Sequence, residues 1–396
     1  MCSLPAATNM TVRRAHPDCW GACWVPADDG ESVFFRVSEW PMLPIGTLAL
    51  IGAFAAIALW STAWLGHRVD LVDRPSGRKN HTGDIPLTGG LAIYATLLFG
   101  TMVLSIPPYT AMCLALASGL VLLSVYDDYQ HLNATVRLVL HFGFGGLLAM
   151  IGGISISNVG NLLAAGDIPL LWLSVPLTGL SVAGLCNAYN MIDGINGLSA
   201  SLVALPLAVL LVLARTAGHD GADFALLLLI PCVIFLVFNL GPNNTVLPKV
   251  FLGDAGSVTL GFLVTASLVY FSQGENAVIL PVTALWLVTV PLMDMLATML
   301  GRWRRGARLT EADRSHLHHL LVDQGMGSRQ ALAVLVAYAG LCAGVGLALE
   351  HVPESLSLLI FFVLFIVHCA FVLRRRRAIL QSSGAVPPVA SDPLAD

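Results

Sequence analysis

The sequence predicts an all-α integral membrane protein of about eleven transmembrane helices with its C-terminus in the cytoplasm. Three observations carry that expectation. Of 396 residues, 56% are hydrophobic and only 11% charged, and the mean hydropathy is +0.79, values that make hydrocarbon the solvent for most side chains. Apolar runs close to the roughly 20 residues needed to cross a bilayer recur along the chain. The Lys and Arg residues between those runs are lopsided: sixteen of the 20 fall in alternate loops on one side, Arg215 alone falls on the other, and three lie in the N-terminal tail. The richer side is therefore cytoplasmic.

Taken in order, residues 1–41 are polar and irregular and lack a basic start, an apolar middle and a small-residue cleavage site. They read as an appended tail. Met42 opens directly into an apolar run, so translation is expected to begin there. The predicted spans then run over 43–65, 87–106, 110–126, 134–153, 169–189, 198–214, 224–240, 257–272, 277–300, 330–349 and 356–373. The Arg374 to Arg377 run marks the cytoplasmic end of the last span, and the tail out to 396, rich in Pro, Ser and Ala, is expected to be disordered. The membrane domain is thus 42–373.

Composition also excludes several functions. A net charge of −4 with no basic, aromatic-interleaved surface argues against nucleic-acid binding. Cys113, Cys186, Cys232, Cys342 and Cys369 lie inside apolar runs and read as small hydrophobes. Cys2, Cys19 and Cys23 lie in the polar N-terminal stretch, and His16, Cys19 and Cys23 have no fourth ligand nearby for zinc. The predicted extracytoplasmic loops are short, and the longest, 154–168, holds ordinary loop residues.

The unusual polar groups do not scatter. Asp127 and Asp128 end the third predicted span, Asn187, Asn190, Asp193 and Asn196 end the fifth, Asn239 ends the seventh, Asp254 precedes the eighth and Asp294 lies low in the ninth. The cytoplasmic loops add Lys79 and His81, and His316, His318 and His319. Each has a bland reading alone: a solvated turn for Asp127 and Asp128, glycine turns at 190–197, a helix cap at Asp254, a positive-inside anchor at Lys79, a partner for a nearby Arg at Asp294. Their shared face is what favours function, because ionisable groups at a membrane boundary are expensive to place. Carboxylates with cationic and imidazole groups suit a hard divalent cation holding a phosphate, and phosphoryl transfer is the natural reaction. Zinc on the three histidines is the weaker alternative, since their neighbours are oxygen donors and Arg; the imidazoles are read as binding a diphosphate.

The same residues carry a family resemblance, through the motifs Asp-Arg-Pro-Ser-Gly-Arg-Lys-Asn-His at 73–81, Ile-Pro-Leu-Thr-Gly-Gly at 85–90, the pair Asp127 and Asp128, the stretch 187–197, Phe-Leu-Gly-Asp-Ala-Gly-Ser at 251–257 and Arg-Ser-His-Leu-His-His at 314–319. In that order they resemble the polyprenyl-phosphate N-acetylhexosamine-1-phosphate transferases. The resemblance implies paired catalytic aspartates at Asp127 and Asp128, a Mg²⁺ ligand at Asp254 with Asp128 as its helper, Asn190 and Asp193 as active-site positions, and Lys79 near the phosphates. It also implies Mg²⁺ as cofactor, with Mn²⁺ as the substitute, and undecaprenyl phosphate and a UDP-N-acetylhexosamine as substrates in a bacterial inner membrane. A homodimer is compatible with these features. The spacing at 316–319, with Leu317 between His316 and the other two, is like the members that move a plain amino sugar and unlike the three consecutive histidines of the members that use UDP-MurNAc-pentapeptide. Departures are Asn196 where many members have a second aspartate, the 241–250 loop, and the 1–41 tail.

The implied reaction is attack by a lipid phosphate on the β-phosphorus of the UDP-sugar, starting a lipid-linked surface glycan. Asp127 is the sequence candidate for accepting a proton, with Asp128 exchangeable for it and a covalent aspartyl-phosphate route left open. A secondary transporter is the rival class, but transporters place their coupling groups near the midplane and show paired halves. Here the acids sit at one face and no motif recurs.

Overall fold

The computed structural model describes residues 44–75, 83–104, 108–130, 132–219, 221–309 and 315–382, and the elements below all belong to the unit that begins at Ile45. The helices are α1 Ile45–Arg68, α2 Gly89–Val103, α3 Pro108–Gln130, α4 Ala134–Met150, α5 Ser174–Ile192, α6 Leu198–Thr216, α7 Ala222–Leu240, α8 Gly253–Ser272, α9 Pro281–Leu287, α10 Thr289–Trp303, α11 Leu317–Asp323, α12 Ser328–Ala348 and α13 Glu354–Ser382. Two short antiparallel strands, β1 Val72–Asp73 and β2 Ile85–Pro86, join α1 to α2. Each of the eleven predicted runs contains helix. Among the described residues eight helices are long and apolar enough to cross a membrane, and α9 with α10 would make a ninth as a bent pair. α2 and α4 are apolar but shorter. This is a multi-pass membrane protein.

The bundle is built around α8, nearly every residue of which is buried. It packs on α3 and α5, with α2 and α6 beside them. Lipid is as apolar as Leu, so such contacts are held by close packing rather than by hydrophobic exclusion. Gly261 of α8 lies so near α5 that a Cβ there would sit 2.9 Å from Cys186 Cα, and Gly145 of α4 faces Gly179 of α5 in the same way, at 2.8 Å. The outward surfaces carry apolar side chains such as Trp60, Leu122, Met150 and Ile366, as a lipid-facing exterior requires.

Three differences from the sequence reading have physical causes. The run 277–300 is not one helix: it bends by 77° between α9 and α10. Pro291 has no N–H to give Leu287, three residues inside α10, and the Thr289 hydroxyl instead donates to the Leu285 and Trp286 carbonyls, at 3.2 and 2.7 Å. The histidine segment, read as a loop, forms the short helix α11. The last helix passes beyond 373 and keeps Arg374 to Arg377 helical as far as Ser382.

On the far side from the carboxylates, the 154–170 loop is tied to helix ends. Gln273 Oε1 accepts the amides of Ser157 and Asn158 at 3.0 and 3.1 Å, and Glu354 Oε1 accepts that of Asn161 at 3.0 Å.

Candidate active site

The platform for the site is a backbone clamp between two of the sequence motifs. The Phe251 amide donates to Pro86 O at 2.8 Å, and the amides of Gly89 and Gly90 donate to the carbonyls of Phe251 and Leu252, both at 2.9 Å. Only glycine permits this approach: a Cβ on Gly90 would overlap the backbone of Gly256. Gly253, at φ +71°, turns the chain into α8 with Leu87 O against it. The clamp leaves Asp254 in the first turn of α8, where the positive end of the helix dipole favours a carboxylate.

Opposite stands the pair at the end of α3. Neighbouring residues on a helix point about 100° apart, so the two carboxylates have different surroundings. Asp127 is buried, with Oδ1 accepting the Leu132 amide at 2.6 Å and Oδ2 accepting Arg137 Nη1 at 2.7 Å. The same Arg137 nitrogen reaches Asp254 Oδ2 at 3.1 Å, and Asn190 Nδ2 donates to Asp254 Oδ1 at 2.8 Å and to Ser257 Oγ at 3.2 Å. Arg137 stands one turn into α4, whose start is fixed by Asn133 capping the Thr135 amide at 2.8 Å. Asp128 faces the other way, into a cavity, and its Oδ2 is buried with no hydrogen-bond partner among the described residues.

That cavity has a volume of ≈ 520 Å³ and is lined by Asp128, Asn190, Asp193, Asn239, Asp254 and His319. The size suits a nucleotide-sized ligand. Asp193 follows the last turn of α5, and burial pushes its carboxyl up to about 7, with the Asp254 charge acting in the same direction. Among the described residues the lining holds several carboxylates and no Lys or Arg, so an anionic ligand there calls for added positive charge. Among the described residues no three His, Cys, Asp or Glu side chains converge as a ready metal cage. The candidate ligands Asp128 and Asp254 are oxygen donors, however, and the orphaned Asp128 Oδ2 with Asp254 fits a Mg²⁺ that takes one or two carboxylates and fills its shell with water and phosphate oxygens.

The histidines form the opposite wall. Asp294, fully buried in α10, accepts His316 Nδ1 at 2.9 Å and the Leu317 amide at 2.7 Å. It thus pins the first turn of α11, and its partner is an imidazole rather than the Arg the sequence left open. His316 and His318 stack with centroids 5.7 Å apart, and His318 and His319 approach at 4.1 Å. His318 is buried against Gly194, where a Cβ would strike its ring. His319 is the member that lines the cavity.

The remaining candidates fall at the edges. Asn239 donates to Val250 O at 2.7 Å, anchoring the far end of the 241–250 loop, while its Oδ1 is buried with no partner among the described residues. Asn187 lies beside the site, its amide against Met191 Sδ at 3.0 Å, and lines a second, small cavity with Asp127, Arg137, His141 and Asn190. Lys79, with His81 and Arg314, lies outside the described residues. Sequence reasoning missed Arg137, counted only as a cytoplasmic loop charge, and His141, four residues on. The signal was present: both stand inside an apolar helix, where an ionisable group needs a reason.

The chain belongs to glycosyl transferase family 4, whose profile matches residues 110–272. It is 32% identical over 362 residues to the undecaprenyl-phosphate alpha-N-acetylglucosaminyl 1-phosphate transferase of Escherichia coli strain K12, covering 87% of this chain and 98% of that one. The proteins of the same name from Salmonella typhimurium and Haemophilus influenzae are each 32% identical, covering 82% and 81% of this chain and 89% and 91% of theirs.

Proposed function

We propose that this chain transfers an N-acetylhexosamine 1-phosphate, GlcNAc-1-phosphate first among them, from its UDP-sugar to undecaprenyl phosphate, releasing UMP. The carrying observation is the convergence of Asp128, Asn190, Asp193, Asp254 and His319, from four separate stretches of chain, on one ≈ 520 Å³ cavity at the end of the bundle. The names of the relatives supply the acceptor and the sugar.

The reaction forms a bond from an acceptor phosphate oxygen to the β-phosphorus and breaks the bond from that phosphorus to the bridging oxygen, which leaves with UMP. Both partners are anions, so catalysis is largely positioning and charge neutralisation. Bound between Asp128 and Asp254, Mg²⁺, or Mn²⁺ in its place, would supply that neutralisation. His319 lines the same cavity and can donate to a diphosphate oxygen. Asn190 holds Asp254 by its amide, and Asp294 sets His316 and the start of α11. Asp127 has an oxygen on an amide and an oxygen on a guanidinium, which suits a support better than a base. Asp128, whose buried Oδ2 has no hydrogen-bond partner among the described residues, is the better candidate for metal holding or proton acceptance.

A soluble nucleotide sugar and a membrane-held phosphate meet only at the headgroup level, and the Lys and Arg asymmetry supports a cytoplasmic position for that end of the bundle. The test is UMP release by the purified chain given undecaprenyl phosphate, Mg²⁺ and a panel of UDP-GlcNAc, UDP-GalNAc and UDP-glucose. UDP-GlcNAc should turn over fastest and UDP-glucose least. Release from none of them would remove the transferase reading, and a preference for UDP-GalNAc would move the substrate.

A further inference from the structure

Arg137 belongs to none of the motifs that carry the resemblance, yet one of its nitrogens ties together two carboxylates 127 positions apart in sequence, Asp127 at the end of α3 and Asp254 at the start of α8. Asp254 Oδ1 accepts Asn190 Nδ2 and Oδ2 accepts Arg137 Nη1. Each carboxylate oxygen keeps a second lone pair, so a cation need not evict either N–H outright, but one seated on Oδ2 would lie within a few ångströms of the guanidinium charge and share the carboxylate with it. Asn190 is held additionally by Ser257 Oγ at 3.2 Å. Arg137 is the more easily moved group: its contact with Asp254 is the longer of its two, its side chain is about one-third exposed, and a small cavity lined by Arg137, Ser124, His141 and Asn187 lies beside it.

We propose that Arg137 is a resident counter-ion that holds Asp254 while no metal is bound and competes with the incoming divalent cation for Asp254 Oδ2, withdrawing onto Asp127 when the cation arrives. This rests on the cation assigned under the proposed function and goes beyond it. Asp127 then has a defined part: it is the berth to which the guanidinium retreats. Arg137 is a positioning residue, acting through the two carboxylates. No bond is made or broken; the step exchanges one N–H···O contact for one metal–oxygen contact.

The test reads cation affinity directly, by electron paramagnetic resonance of free Mn²⁺ titrated into the full chain in detergent micelles, without substrate. Removing the competing charge in Arg137→Met should tighten Mn²⁺ binding on the order of tenfold, because a dication no longer meets a cation a few ångströms away. Asp127→Asn removes the berth, leaves Arg137 on Asp254, and should weaken Mn²⁺ binding severalfold. Combined, the two substitutions should return to the Arg137→Met affinity, since with no guanidinium the berth is irrelevant. A merely structural Arg137 would give weaker or unchanged binding on removal, and that result overturns the proposal. So does an equal loss from Asp127→Asn with and without Arg137, which would make Asp127 a direct ligand. Should Arg137→Met fail to fold, Arg137→Lys carries the test: the shorter ammonium cannot span both carboxylates and should also bind Mn²⁺ more tightly than wild type. No Mn²⁺ binding by the wild-type chain at millimolar concentration would reject the cation itself, a failure distinct from wild-type binding that Arg137→Met leaves unchanged.

Discussion

Substituting Asp294 by Ala takes one side chain out of the middle of α10 and should disable a wall of the cavity that Asp294 does not line. Its carboxylate accepts from His316 Nδ1 at 2.9 Å and from the Leu317 amide at 2.7 Å, and both Asp294 and His316 are buried. Alanine leaves the buried Leu317 amide without its acceptor and His316 Nδ1 with only the Thr298 hydroxyl at 3.5 Å, each loss costing about 1–3 kcal/mol. The total is about 2–6 kcal/mol, which disfavours the docked arrangement of α11 by at least about thirtyfold. His318 and His319 move with α11. The fold should persist, because α8 and its neighbours make no use of these bonds. Three readouts follow: a fall in kcat/KM for UDP-GlcNAc of about thirtyfold or more in the UMP-release assay, new protease cleavage near 305–325, and a thermal midpoint within a few degrees of wild type. Asp294→Asn keeps one acceptor oxygen and should fall between the two. Kinetics within threefold of wild type for Asp294→Ala would refute the idea that this residue orders the histidine wall.

Other perturbations test other parts. Asp254→Asn should lower UMP release by about 10² or more and shift its Mg²⁺ dependence to higher concentration; wild-type behaviour would take Asp254 out of the site. Gly90→Ala forces its Cβ into the Gly256 backbone, and at about 1–3 kcal/mol for overpacking it should lower the thermal midpoint and the activity together. An unchanged midpoint would mean the clamp gives way freely. Asp193, ordinarily near 3.8 and held up to about 7 by burial and by Asp254, makes folding less favourable as pH rises across that window, because the unfolded carboxyl ionises first. Thermal midpoints measured without divalent cation should therefore decline between about pH 4 and 7, and Asp193→Asn should flatten the decline. A decline of the same size in both would assign it to other groups.

The membrane class and the positions of the apolar runs were legible because hydrocarbon imposes length and composition on each helix separately. The kink at 288 was less so: Pro291 is visible in the sequence, but prolines also stand inside α6 and α7 at 206 and 231, and only packing decides which one bends the chain. α11 was hidden because a seven-residue helix has too few turns for periodicity to show, and it starts at Asp294's command, from another helix. In the site, the acids and histidines announced themselves as polar residues beside apolar runs. Their division of labour did not. Asp127 and Asp128 are alike in sequence, and only the Leu132 amide and Arg137 separate the engaged carboxylate from the one that faces the cavity. Arg137 itself was absorbed into the tally of cytoplasmic charges, since its role depends on a partner 117 residues away.

The decisive measurement follows the phosphorus. With UDP-GlcNAc labelled by ³²P at the β position and undecaprenyl phosphate supplied, the purified chain should move the label into a lipid-extractable product that retains the sugar, and Asp128→Asn should slow that movement by about 10² or more. Label that remains with the nucleotide, while sugar alone moves or nothing moves, would contradict phosphoryl transfer in this cavity.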